Sequence, residues 1–229
     1  MKSITIKSVI AGFACLLAAG LLSCNKEKAD VASEILQIQS DELSPDVHFH
    51  NAQIAFANNE YHRSSESIKK GIDAMKEIAR LVDSLDRVSI DNSIAELYEL
   101  SSDVYYDKVD GLEQLNGCFA RAGKAVAGAH MKIVEKSYYA LDGKKAASEL
   151  IRAIDEIERL KGYYESGINN DDAEYLTEMK EFAVELASGK VSNESLDSKL
   201  NELSKRLNSN NNLKIKVEDT RSTDKKILR

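Results

Sequence analysis

The chain has 229 residues, with 38 acidic against 31 basic side chains, a formal charge of −7, one proline and no tryptophan. An acidic balance argues against a nucleic-acid ligand, which needs clustered Lys and Arg, and sets the chain at odds with anionic lipid headgroups. Scarce proline and abundant Ala, Leu, Glu, Lys and Ser favour an all-α fold.

Residues 1–23 have the order of a secretory signal. Lys2 and Lys7 form a positive start, and Val9 to Leu22 is an uncharged apolar run. That run falls short of the roughly 20 apolar residues a permanent membrane helix needs. It closes on Leu21-Leu22-Ser23-Cys24, which resembles the lipobox of bacterial lipoproteins. The resemblance implies cleavage by signal peptidase II before Cys24 and acylation of that cysteine. Loss of Lys2 and Lys7 would take the formal charge from −7 to −9. Each buried methylene contributes about 0.8 kcal/mol, so two or more acyl chains hold stably and leave the domain in water. The start Cys24-Asn25-Lys26-Glu27-Lys28 resembles lipoproteins of the Bacteroidota group, and Asn25 is compatible with sorting to the outer membrane. Of the three cysteines, Cys15 leaves with the signal and Cys24 is lipidated. Cys118, among Leu115, Phe119 and Ala122, is expected to be a buried, inert thiol.

Residues 24–43 form a polar spacer with a short amphipathic stretch at Ile35, Leu36 and Ile38. Ser44-Pro45-Asp46 then opens a helix: a capping serine, proline at the first position, an acid near the positive end. That helix runs through Ala52, Ala55 and Phe56 to Asn58-Asn59. Ile68, Ile72, Met75, Ile78 or Ala79, Val82, Leu85 and Val88 recur at three and four and predict a second helix, broken at Ser89–Asn92. Ile94, Leu97, Leu100 and Val104 begin a third. Leu112, Leu115, Phe119, Ala122, Val126, Ala129 and Ile133 predict a fourth, whose Gly117, Gly123 and Gly128 call for a closely packed neighbour. Asp142-Gly143 is a turn leading to Ala147, Leu150, Ile154, Ile157 and Leu160. Gly167–Asp172 is a break, with Asn169 or Asn170 as cap. Leu176, Met179, Phe182 and Leu186 follow, Gly189 ends that helix, and Ser192 caps the last, marked by Leu196, Leu200, Leu203 and Leu207. Leu213, Ile215 and Val217 alternate like a strand, but one without a partner, so 209–229 is expected to be a disordered polar tail.

Ile72, Met75, Ile78 and Leu81 lie 79 residues before Ile151, Ile154, Ile157 and Leu160, a spacing that hints at internal duplication. Ala52, Ala55, Asn59-Glu60-Tyr61, Ser64, Ile68 and Gly71 resemble part of a tetratricopeptide helix pair. The second helix runs on past Leu81, no proline follows and no 34-residue period appears, so ordinary helix-hairpin packing accounts for the match as well.

His48, His50, His62 and His130 show no i, i+4 pair and no His-Glu-x-x-His, so they are expected to be surface or half-buried side chains rather than metal ligands. Glu96, Glu99, Asp103, Asp107 and Asp110 suggest an acidic stripe on one helix, expected to be a solvated face. The tyrosine doublets 105–106, 138–139 and 163–164, with Tyr61, Tyr98 and Tyr175, fit the ends of a bundle, one ring inward and one hydroxyl in water. No phosphate loop, Walker sequence or G-x-S-x-G is present.

The expectation is therefore an all-α antiparallel bundle of six or seven helices over 44–208, tethered through Cys24 by a spacer. Its expected role is a non-enzymatic protein-binding or scaffold module in the cell envelope, without cofactor, metal or catalytic residues. Its contacts would be the membrane, through the acyl chains, and a protein partner. The rival is an envelope bundle that binds a metal or small ligand, or an enzyme with a dispersed site.

Overall fold

The computed structural model describes residues 44–164, 170–209 and 215. The signal segment, Cys24 and the spacer lie outside the described residues, as does most of the tail. The described residues form seven α-helices: α1 (Pro45–Ala57), α2 (Tyr61–Leu81), α3 (Val88–Tyr105), α4 (Leu112–Tyr139), α5 (Gly143–Arg159), α6 (Asn170–Ala187) and α7 (Asn193–Ser209). A 3-10 turn, Leu160–Tyr163, extends α5.

The connections obey local chemistry. Asn59 takes φ 61 and Gly189 φ 68, left-handed positions that asparagine and glycine tolerate. The Asp142 side chain accepts a hydrogen bond from the Lys145 amide at 3.0 Å, and Ser192 accepts one from the Ser195 amide at 3.2 Å. Each is an N-cap satisfying an otherwise orphaned donor. Two sequence expectations fail locally. The backbone of Ser44 starts α1, yet its hydroxyl makes no cap bond and turns to another helix instead. The break expected at Ser89–Asn92 lies at 82–87. Val82 turns extended and stays buried, whereas Leu85 is 90 % exposed, so the apolar repeat ran through a loop. Asp83, Ser84 and Asp86 are weak helix formers gathered in that loop, the two carboxylates pairing with Lys136 and Lys132, while Ser89 and Asp91 sit in the first turn of α3, where acids and small polar residues are favoured.

Consecutive helices from α1 to α6 pack against one another, and α4 also meets α1, α2 and α7. Helix α4 is thus the axis, and most of its 28 residues are buried. Phe49 of α1 stacks on Phe119 of α4 with ring centroids 4.6 Å apart, an arrangement beyond simple area burial. Gly71 admits the Phe49 ring, since a Cβ there would lie 2.9 Å from its Cδ1. Gly123 likewise admits Leu160, as the close-packing expectation required, but nothing lies within 4 Å of a Cβ at Gly128. The Ser64 hydroxyl donates to the Ala52 carbonyl at 2.8 Å and pins α1 to α2. Ile215 forms an isolated antiparallel bridge with Tyr164. The alternating tail segment therefore finds a backbone partner at that residue, contrary to expectation. Along the 79-residue offset Ile72 and Met75 match Ile151 and Ile154 in being buried, while Leu81 is 48 % exposed and Leu160 buried.

Candidate functional site

The Ser44 hydroxyl enters a polar cluster where α1 meets the end of α5. Arg159 donates from Nη1 to Ser44 Oγ at 2.6 Å and to Glu156 Oε1 at 3.1 Å, while Ser44 Oγ donates to the same Glu156 oxygen at 3.3 Å. Arg159 Nε lies 3.7 Å from Asp46 Oδ2, and the Tyr163 hydroxyl donates to Asp46 Oδ1 at 3.0 Å. Asp46 and Glu156 are both buried. Two buried carboxyls thus share one partly exposed guanidinium, and their burial and mutual proximity disfavour the charge of both.

Burial first, and then the Asp46 charge, push Glu156 up to about 8 against the opposing pull of Arg159 and Ser44. Burial also raises Asp46, despite Arg159 and Tyr163. Burial, with Asp46 beside it, pushes the Tyr163 hydroxyl well above its ordinary range. The pair accordingly titrates as a unit, with Glu156 the carboxyl pushed furthest toward its neutral form. Chemically it is a proton store and a set of hydrogen-bond acceptors beside a cleft, the setting in which perturbed carboxyls mark sites.

The cleft is a groove of about 590 Å³ running along α1. Asp46, Arg159 and Tyr163 lie at one side. Gln53 donates to Asn116 at 2.6 Å across it, linking α1 to α4. Its outer lip is Val47 and Ile54, seven residues apart on one face of α1 and 51 % and 49 % exposed. The outer face of helix α1 thus sets the apolar Val47 and Ile54 beside the exposed His50 and Asn51, a mixed surface with two large apolar side chains in water.

The residues singled out in the sequence end in separate places. His48 is half-buried, with burial and Lys70 lowering its pKa, while His50 lines the groove. His62 is exposed near Glu66 and the Tyr105 ring. His130 departs from the surface or half-buried expectation: it is buried, its Nδ1 2.7 Å from Glu149 Oε2. Burial works to raise Glu149, but the hydrogen bond and charge of His130, with Arg152 and Lys145, hold its carboxyl below the ordinary range. No three His, Cys, Asp or Glu side chains converge as metal ligands would among the described residues. The acidic stripe is not one helix face, because α3 stops at Tyr105 and Asp107 turns left-handed at φ 53. Glu96, its first member, bonds Arg121 of α4. Cys118 lies buried between that pair and the core, its thiol pushed up to about 11 mainly by burial, so it is inert. Tyr138 and Tyr139 divide as expected, Tyr138 donating to the Val191 carbonyl and Tyr139 exposed, but Tyr105 and Tyr106 are both exposed and Tyr163 and Tyr164 both buried.

Glu156 and Arg159 escaped the sequence reading, and Tyr163 was legible there only as one of a bundle-end doublet. One signal was present: Glu149 and Glu156 are seven residues apart, on the apolar face of α5, where an acid needs a partner from another helix. No helix among the described residues is long and apolar enough to cross a membrane. No family model matches the chain, and no curated protein and no solved structure is found similar to it.

Proposed function

We propose that the protein is an envelope lipoprotein, anchored through acyl chains on Cys24, that acts as a non-enzymatic binding module and receives a protein partner in the groove along α1. The observation that carries this reading is the outer lip of that groove. Val47 and Ile54 are about half exposed on a helix whose opposite face already fills the core. Apolar side chains in a row over a cleft with polar groups inside it have the make-up of an interface centre. The lipobox Leu21-Leu22-Ser23-Cys24 supports the anchor, and residues 24–43 supply the spacer.

Two experiments test the two halves separately. Cys24→Ser is expected to abolish acyl labelling and release the protein from membranes, and unchanged fractionation would refute the anchor. Val47→Asp with Ile54→Asp is expected to remove a partner recovered by cross-linking in intact cells, leaving fractionation unaltered. A partner retained by that variant would refute the groove. The groove volume also lies within the roughly 300–1,000 Å³ of small-ligand sites, which supports a second reading as a small-ligand carrier. Native mass spectrometry of freshly purified protein decides between them: a small molecule lost on Ile54→Asp would favour the carrier.

A further inference from the structure

The two most exposed large apolar side chains among the described residues are Leu141, at 93 %, and Leu85, at 90 %. They sit in different connections at one end of the bundle, Leu85 between α2 and α3 and Leu141 between α4 and α5. Lys136 Nζ reaches Asp83 at 2.7 Å and Lys132 Nζ lies 3.8 Å from Asp86. These pairs tie the first connection to the last turns of α4, which lead directly into the second. Leu81, Val88 and Tyr139, each about half exposed, belong to the same end.

Folding explains neither leucine. Leu141 takes φ 61, the left-handed position after a helix that glycine ordinarily fills, so the chain keeps a strained backbone there to present an apolar side chain to water. Strain of this kind collects at functional positions.

We propose that this end of the bundle dips into a lipid surface, Leu85 and Leu141 entering the apolar layer with Tyr139 at its boundary. Rings with a polar tip favour that boundary. Charge distribution agrees. The chain as a whole is at −7, yet residues 80–88 and 132–145, with residues 186–197 that Tyr138 and Tyr139 bond at the same end, hold seven basic against six acidic side chains, so headgroup repulsion at this end is small. The tether permits the pose. Ser44 meets Glu156, which lies 13 residues along α5 from Gly143, about 20 Å from the tips. The 19 residues between Cys24 and Ser44 let the two lie up to about 70 Å apart when extended. Two leucines alone bind weakly, but a tethered chain experiences the surface at high effective concentration. The inference rests on the anchor reading for its membrane, and its test does not.

Residues 24–229 are coupled through Cys24 to a maleimide lipid in vesicles of mixed neutral and anionic phospholipid. Cys118, buried and with its thiol raised to about 11, stays unreacted. The chain has no tryptophan, so Leu141→Trp and Leu85→Trp each give a single fluorescent probe, and Tyr106→Trp gives one at the far end of α3. Emission from the first two is expected to shift to the blue on coupling and to be quenched by brominated acyl chains, while the third does neither. Equal behaviour of all three probes would overturn the proposal. So would a blue shift that grows with protein concentration without vesicles, which would make this end a contact between copies of the chain.

Discussion

Replacing Glu156 by glutamine keeps an oxygen that accepts from Ser44 and Arg159, and removes a carboxyl that must otherwise lose a proton inside the bundle. The folded-state pKa of about 8 stands above the ordinary 4.5. Between those values the folded chain holds more protons than the unfolded one, so stability falls as pH rises through the window. One unit corresponds to about 1.36 kcal/mol, and at pH 7 about 2.5 units of the shift have been traversed, a cost of at most about 3 kcal/mol. Glu156→Gln is therefore expected to be more stable than the parent by about 2–3 kcal/mol near pH 7 and nearly equal to it near pH 4.5. The parent itself should lose stability from pH 5 to pH 8. Urea unfolding followed by helical circular dichroism at the two pH values measures both. A parent whose stability rises between pH 5 and 8, with a variant weaker than it throughout, would refute the assignment of an unfavourably buried carboxyl pair.

Other substitutions probe the frame. His130→Ala leaves the Glu149 carboxylate buried without its main partner and is expected to cost about 3 kcal/mol, while the double change His130→Leu, Glu149→Leu recovers most of that loss in thermal melts. Because Glu149 lies below its ordinary value, the stability it confers is complete above the ordinary carboxylate range and disappears only as pH falls beneath it, the opposite sense to Glu156. Gly71→Ala forces a methyl into Phe49, which is fully buried and stacked on Phe119, and should destabilise by about 1–3 kcal/mol. Gly128→Ala meets nothing within 4 Å and should stabilise by about 0.5–1 kcal/mol, a contrast readable in denaturant midpoints. Leu141→Gly relieves a left-handed backbone and is expected to gain about 0.5–1 kcal/mol, while shedding vesicle contact if the leucine serves the membrane.

The sequence alone determined the helices and their stripes, because an apolar face repeats at three and four whatever lies opposite it. Leu115, Phe119, Ala122 and Val126 of α4 were legible in this way, and so were the stops at Asn59, Asp142 and Gly189. The break at 82–87 was not, since Leu85 and Val88 keep the helical spacing while facing water. The partners of polar residues were also beyond it. Glu149 and Glu156 occupy equivalent turns of α5, yet one meets His130 from α4 and the other meets Ser44 and Asp46 from α1, more than 100 residues away in the chain. Spacing specifies which face a side chain occupies. The charge it carries depends on what another helix brings to that face and how far water is excluded, and those are properties of the packed bundle.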